Sequence, residues 1–178
     1  MHRFFCRQLA FYARYHQDAR NCLTHYLGIP MLFVAVILPL EAVRIPAGSC
    51  ALPLGMLLTL PALIGWIALD LGVGATLALS LCPLFAAVEL IVWISSPALF
   101  WSCFAGLFLA GWSLQFMGHA VYERRRPAFV DDLSQTLIGP MFVAAKLLVA
   151  LGFRADLAVV LADGQELSET QRPARQSG

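Results

Sequence analysis

Four histidines occur among the 178 residues, and two of them share a helical face with another polar side chain. Asn21 and His25 are four residues apart, as are Gln115 and His119, and His119 and Glu123. On an α-helix each such pair lies on one face. His16 stands a few residues before Asn21, and His2 is close to the terminus. Imidazole is a common ligand for iron and zinc, and three histidines with a carboxylate could build a metal site. The competing reading is that the rings rest at a membrane interface, where amphipathic side chains are comfortable. No HxxxH or HExxH spacing is present to fix a ligand set.

The elements that must position these residues are membrane helices. Sixty per cent of the chain is hydrophobic and 13% is charged, about half the charge of an ordinary soluble domain. Mean hydropathy is +0.74. Apolar segments run over roughly 26–43, 51–69, 71–94, 97–118 and 137–153. Stretches of this length with so little charge read as spanning helices. The first carries Pro30, Pro39 and Glu41, and the last carries Pro140 and Lys146, so the last reads as either a span or a re-entrant helix. Residues 3–17 suit an amphipathic helix lying in the interface, with Phe5, Leu9, Tyr12 and His16 on one side and Arg3, Arg7 and Arg14 on the other. The expected fold is therefore all-α: an integral membrane bundle of four to five transmembrane helices preceded by that interfacial helix. Residues 1–161 form one membrane-embedded domain, and the polar stretch 162–178 is expected to be a disordered tail.

Four arginines (Arg3, Arg7, Arg14, Arg20) precede the first span and three (Arg124, Arg125, Arg126) follow the fourth, whereas only Arg44 lies in the connections on the other side. If the first four segments span, the two arginine-bearing regions share one side, and the positive-inside rule makes it cytoplasmic. The expectation is an integral protein of a bacterial inner membrane, with the N-terminus and residues 119–136 in the cytoplasm. Asn21, Gln115, Arg124 and Arg125 are candidates for holding a substrate, the arginines because guanidinium fits a carboxylate in bidentate fashion. Glu89, inside the third span, could support the site, be a protonated core carboxyl or meet Lys146. Five scattered cysteines without a CxxC pair read as packing residues. Outside the arginine run 124–126 there is no basic stripe, so nucleic acid is not an expected partner.

The segment FYARYHQDARNCLTHYLGIP (11–30) resembles the N-terminal motif of the fungal-type 2-hydroxy fatty acid dioxygenases, membrane enzymes of α-oxidation. The segment WSLQFMGHAVYERRRPAFVDDLSQTLIGPMF (112–142) resembles that family's second motif. The resemblance implies an Fe(II)-dependent enzyme that oxidatively removes one carbon from a long-chain 2-hydroxy fatty acid, with molecular oxygen as co-substrate and membrane lipid as its surroundings. By position, His16, His25 and His119 match the family's histidines, and Asn21 and Glu123 its adjacent polar positions. The expected metal and catalytic set is His16, His25, His119 and Glu123. Lys146 departs from the family, where an acidic residue is expected.

A non-haem ferrous centre needs few protein ligands and open positions, which suits so small a set. A di-iron hydroxylase needs about twice as many clustered histidines and is excluded. Two rivals stay open: a zinc-dependent lipid hydrolase, and a non-enzymatic lipid-binding or transport protein. Polar groups gathered at one end of the membrane layer argue against a transporter, whose site lies near mid-membrane.

Overall fold

The computed structural model describes residues 2–170. Helix α1 (Arg3–Ala13) is followed by α2 (Ala19–Glu41), a hairpin of β1 (Arg44–Ala47) and β2 (Cys50–Pro53), then α3 (Leu54–Leu69), α4 (Leu71–Ile94) and α5 (Pro97–Met117). A π-helical turn, Gly118–Glu123, extends α5, and α6 (Ala128–Asp131), α7 (Gln135–Ala150) and α8 (Ala155–Thr170) complete the described chain. The protein is all-α apart from the hairpin, as the composition implies.

Local chemistry sets the boundaries. Asp18 opens α2 and accepts from the Arg20 N–H, Asp70 opens α4 by accepting from Val73, and Ser96 with Pro97 opens α5. Prolines inside α2, α3, α4 and α7 remain within continuous helices, as membrane helices permit when neighbouring groups take over the freed carbonyls.

Helices α2 to α5 alternate in direction. Glu41 at the end of α2 packs on Gly55 at the start of α3, Ile67 near the end of α3 packs on Gly74 of α4, and a two-residue turn joins α4 to α5. Along α2 and α5 the contacts run antiparallel: Gly28 lies against Gly111, and Asn21 and Thr24 lie against Gly118. At all of these glycines a Cβ would collide, so their absence of a side chain brings the helix axes close. Three helices (Ala19–Glu41, Leu71–Ile94, and Pro97–Glu123 with the π turn) are long and apolar enough to cross a membrane, while α3 and α7 are shorter apolar helices. Large apolar side chains such as Ile64, Leu79, Trp93 and Leu109 face outward from these helices, a surface that a bilayer and not water would cover.

The remaining helices gather at the end where α2 begins and α5 finishes. The apolar side of α1 (Phe5, Leu9, Tyr12) is buried against α7 and α8, as its amphipathic pattern predicts. Segment 137–153, ambiguous in sequence, lies here as α7. The Trp66 indole donates to the Leu137 carbonyl near the start of α7, and Arg154 just beyond its end binds Asp70. Trp66 and Asp70 are only about 6 Å apart along the axis of α3, whereas α7 is about 24 Å long. A helix whose two ends meet so short a stretch of its neighbour lies across that neighbour. Segment 137–153 thus forms one of the two apolar helices that fall short of the three long ones. The stretch read as a tail also differs: α8 continues to Thr170 and packs Gly164 on Ala10 of α1, and residues 171–178 lie outside those described. Glu89 neither supports the histidines nor meets Lys146; it pairs with Arg44 at the opposite end, at 2.6 and 2.7 Å.

Asp70 holds this arrangement. Its carboxylate caps α4 and receives two bonds from Arg154, at 2.7 and 2.9 Å, and is itself buried. The Arg154 guanidinium keeps the Asp70 carboxyl below its ordinary pKa. A depressed folded-state pKa contributes stability above the unfolded value and loses it as pH falls through the folded one. Asp70→Ala is therefore expected to cost about 2 kcal/mol at neutral pH, combining a lost cap with a partly exposed broken pair. Thermal unfolding in detergent checks this, and the difference from wild type should shrink only in acid, below the ordinary carboxylate range.

Candidate metal centre

His16, His25 and His119 arrive from three different elements and meet in one buried group. His16 sits in the turn after α1, His25 on the second turn of α2, and His119 in the π-helical turn after α5. Their ring centroids lie 4.3 to 4.9 Å apart, with the planes near perpendicular. One potential ligand atom from each falls within 4.8 Å of the others. All three residues are at most 3% exposed.

Backbone carbonyls set the tautomers. His16 Nδ1 lies 2.9 Å from the Tyr12 carbonyl, and His25 Nδ1 lies 2.9 Å from the Asn21 carbonyl. A carbonyl only accepts, so each Nδ1 carries the proton and each Nε2 is left with a lone pair. His16 Nε2 and His119 Nδ1 are buried without any hydrogen-bond partner. Burial, with the nearby His25 ring adding to it, pushes the His16 pKa well below its ordinary value, so the ring is neutral at pH 7. The Tyr12 ring stacks on it at 4.1 Å. Three close imidazoles, two of them held through Nδ1–H and two with a buried nitrogen that has no partner, make a suitable donor set for a metal. The three residues fit a divalent transition metal ion on these grounds.

Glu123 stands outside this group. Its Oε1 accepts from the backbone N–H of Gln17 at 2.6 Å and of Asp18 at 2.8 Å, and from Asn21 Nδ2 at 3.2 Å. Neither a direct ligand nor a bond to an imidazole describes it: the carboxylate clamps the turn between His16 and α2. Asn21 is spent on the same clamp, its amide also donating to the Tyr15 carbonyl. The reason sequence periodicity misplaces Glu123 is the π-helical turn, whose i→i+5 ladder replaces the α-helical one on which an i, i+4 stripe depends. The turn closes at Arg124, which takes the left-handed conformation (φ 51°), and the N–H groups of Arg124 and Arg125 both bond the His119 carbonyl.

Beside the imidazoles opens an apolar cavity of about 370 Å³ between α2, α5, α6 and α7. His25, His119, Gln115, Gln135, Thr136 and Tyr12 are its polar members, and Ile29, Phe33, Val36, Trp112 and Phe129 are among its apolar ones. Of the four residues expected to hold a substrate, only Gln115 lines it. Arg124 is exposed, and Arg125 donates to the Arg14 carbonyl and lies over the Tyr15 ring. Both follow the reversal at Arg124, which turns the chain outward. Gln135 and Tyr12 were not singled out by sequence; nothing but the fold joins them to the histidines. Lys146 reaches Cys22 Sγ at 3.3 Å and the Phe142 ring, away from the cavity.

Because Glu123 acts through the backbone, its loss should loosen ligands without removing one. Glu123→Ala is expected to weaken metal binding about 10- to 100-fold, with helical content retained. Glu123→Gln, which keeps an acceptor oxygen, should recover part of that loss. Metal titration of detergent-purified protein with circular dichroism measures both.

Comparison with known proteins finds relatives along nearly the whole chain. Residues 2–151 match the family described as 2-hydroxy-palmitic acid dioxygenase Mpo1-like. The chain is 30% identical, over 164 residues covering 91% of it and 90% of the relative, to the 2-hydroxy-palmitic acid dioxygenase MPO1 of Saccharomyces cerevisiae. That relative is eukaryotic and lends no support to a bacterial membrane as the setting. No solved structure matches. On the strength of the near-complete match and the shared length, this chain belongs to the Mpo1-like 2-hydroxy-palmitic acid dioxygenase family.

Proposed function

We propose that the protein is an Fe(II)-dependent dioxygenase of the membrane, which shortens a long-chain 2-hydroxy fatty acid by its carboxyl carbon. The observation that carries this reading is the cavity. It begins at two of the three converging imidazoles and runs along α2 from His25 to Val36, about 16 Å at 1.5 Å per residue. Its polar end is small and its length is apolar, the shape of an amphiphile with one reactive head.

His16, His25 and His119 would hold the iron, His16 and His119 through buried nitrogens that have no other partner. Bound there, ferrous iron supplies oxygen activation and a chelation point for the carboxylate and hydroxyl of a 2-hydroxy acid. The rest falls to the protein. So small a set of protein ligands would leave room for substrate and oxygen. Gln115, buried with an unpartnered Nε2, is placed to donate to the substrate head. The Phe33, Trp112 and Phe129 side chains exclude water from the tail. One molecule of oxygen accepts the electrons released when the 2-hydroxy acid becomes the acid one carbon shorter, carbon dioxide and water, so no further reductant is required.

His119→Ala should abolish oxygen uptake with 2-hydroxypalmitate and remove most bound iron, while thermal stability changes by about 1 kcal/mol or less, because the ring packs on other ligands more than on core. Iron analysis, an oxygen electrode and thermal unfolding measure the three. A variant that keeps its iron and its turnover refutes the mechanism and returns the protein to the lipid-binding class. Oxygen-independent activity restored by zinc would instead favour the hydrolase.

The reading also assigns an orientation. The seven arginines that bracket the histidine end should face the cytoplasm. Reporter fusions after Arg20 and Asp132 are expected to report the same side and a fusion at Ser49, in the hairpin at the other end, the opposite one. Agreement between Ser49 and Asp132 would overturn it.

A further inference from the structure

Gln135, the first residue of α7, is 1% exposed. Its amide nitrogen donates to Gln8 Oε1 on α1 and to Asp132 Oδ2, the latter at 3.3 Å. A carboxylate only accepts, so Asp132 settles which end of the amide is the nitrogen. The other end, Oε1, is a buried carbonyl oxygen with no hydrogen-bond partner, on a residue that lines the cavity beside His25, His119 and Gln115. Gln115 is in the converse condition: its Nε2 is a buried donor with no partner. Buried polar groups are rarely left unpaired, and each exception calls for an explanation.

A ligand that satisfied both would carry an acceptor and a donor close together at the head of an apolar tail. An ordinary fatty acid carboxylate is acceptor only, so it can serve Gln115 and not Gln135. A carboxylate with a hydroxyl on the adjacent carbon offers both. We propose that Gln135 is a specificity-determining residue: its Oε1 accepts a hydrogen bond from the 2-hydroxyl while Gln115 donates to the carboxylate, so the cavity selects a 2-hydroxy acid over the unsubstituted acid of equal length. This rests on reading the cavity as a 2-hydroxy fatty acid site. The oxygen is oriented before any ligand arrives, because Gln8 and Asp132 hold the amide nitrogen and the Gln135 N–H bonds the Asp132 carbonyl at 3.0 Å. Such preorganisation turns one hydrogen bond into discrimination, since an analogue lacking the hydroxyl leaves the carbonyl unpaired.

The test is equilibrium binding under nitrogen, in detergent, of palmitate, 2-hydroxypalmitate and 2-fluoropalmitate to the wild-type protein, Gln135→Leu and Gln8→Ala. Fluorine is close to a hydroxyl in size and brings no proton. Wild type should bind the 2-hydroxy acid roughly tenfold more tightly than either analogue. In Gln135→Leu the preference for the 2-hydroxy acid over both analogues should fall several-fold, leaving only what iron chelation of the hydroxyl supplies. Gln8→Ala removes the tie to α1 but leaves the carbonyl, and should keep the wild-type ratio. Retention of the ratio in Gln135→Leu overturns the proposal, as does its loss in Gln8→Ala to the same extent, which would make the glutamine a structural tie. Wild-type protein that binds 2-fluoropalmitate as well as 2-hydroxypalmitate also overturns it, and that arm decides the matter even if Gln135→Leu fails to fold. Wild-type protein that binds none of the three acids refutes the underlying site reading, and this proposal with it.

Discussion

A buried imidazole nitrogen with no hydrogen-bond partner is a cost, and this protein concentrates such nitrogens in one place. Only a tightly determined surrounding can keep lone pairs converging there without a water shell. Three features do so: the two backbone carbonyls that hold Nδ1 of His16 and His25, the Glu123 carboxylate that gathers the N–H groups of the turn between them, and the crossing of α2 and α5 at Gly28, Gly111 and Gly118. Gly118 shows how little latitude remains. A Cβ there would overlap Asn21 Oδ1 and Thr24 Oγ1, so the glycine that lets the helices touch also lets Asn21 reach Glu123.

The second organising fact is that chemistry sits at one end of the bundle while the cavity runs inward. α1, α6, α7 and α8 gather at that end, where α1 packs on α7 and α8 and α7 packs on α4, and together they roof the histidines. Asp70 and Arg154 tie this roof to the α3–α4 junction. On the proposed reading, an amphiphile would meet the reactive end without its tail leaving apolar surroundings, which is the physical argument for embedding such an enzyme.

Much of this was legible in sequence, and the exceptions share a cause. Period and hydropathy identified the long helices and the amphipathic α1, because both depend on local pattern. Alternation of four apolar segments was enough to bring His16, His25 and His119 to one end. Glu123 was found but not its role, since nothing in GHAVYE announces a π-helical turn. Arg124 and Arg125 looked like carboxylate binders by type, and the backbone reversal at Arg124 carries both out of the cavity. Segment 137–153 could not be assigned because apolar composition is common to a helix that crosses a membrane and one that lies across other helices. Gln135 was invisible for the plainest reason: its significance is a carbonyl oxygen left over after two tertiary contacts are made.

The three histidines also have an order in time. During synthesis His16 and His25 emerge together, and His119 follows only after α3, α4 and all of α5 have been made. At about 5–20 residues per second the first two imidazoles wait about 5 to 20 seconds for the third. A pair of histidines is a weak and unselective ligand set, so metal captured early is readily lost. Tight loading becomes available once the last long helix has packed on α2 through its glycines. On the proposed reading, packing of α5 is thus the step that would complete the site, and a chain stalled before it would carry no finished centre.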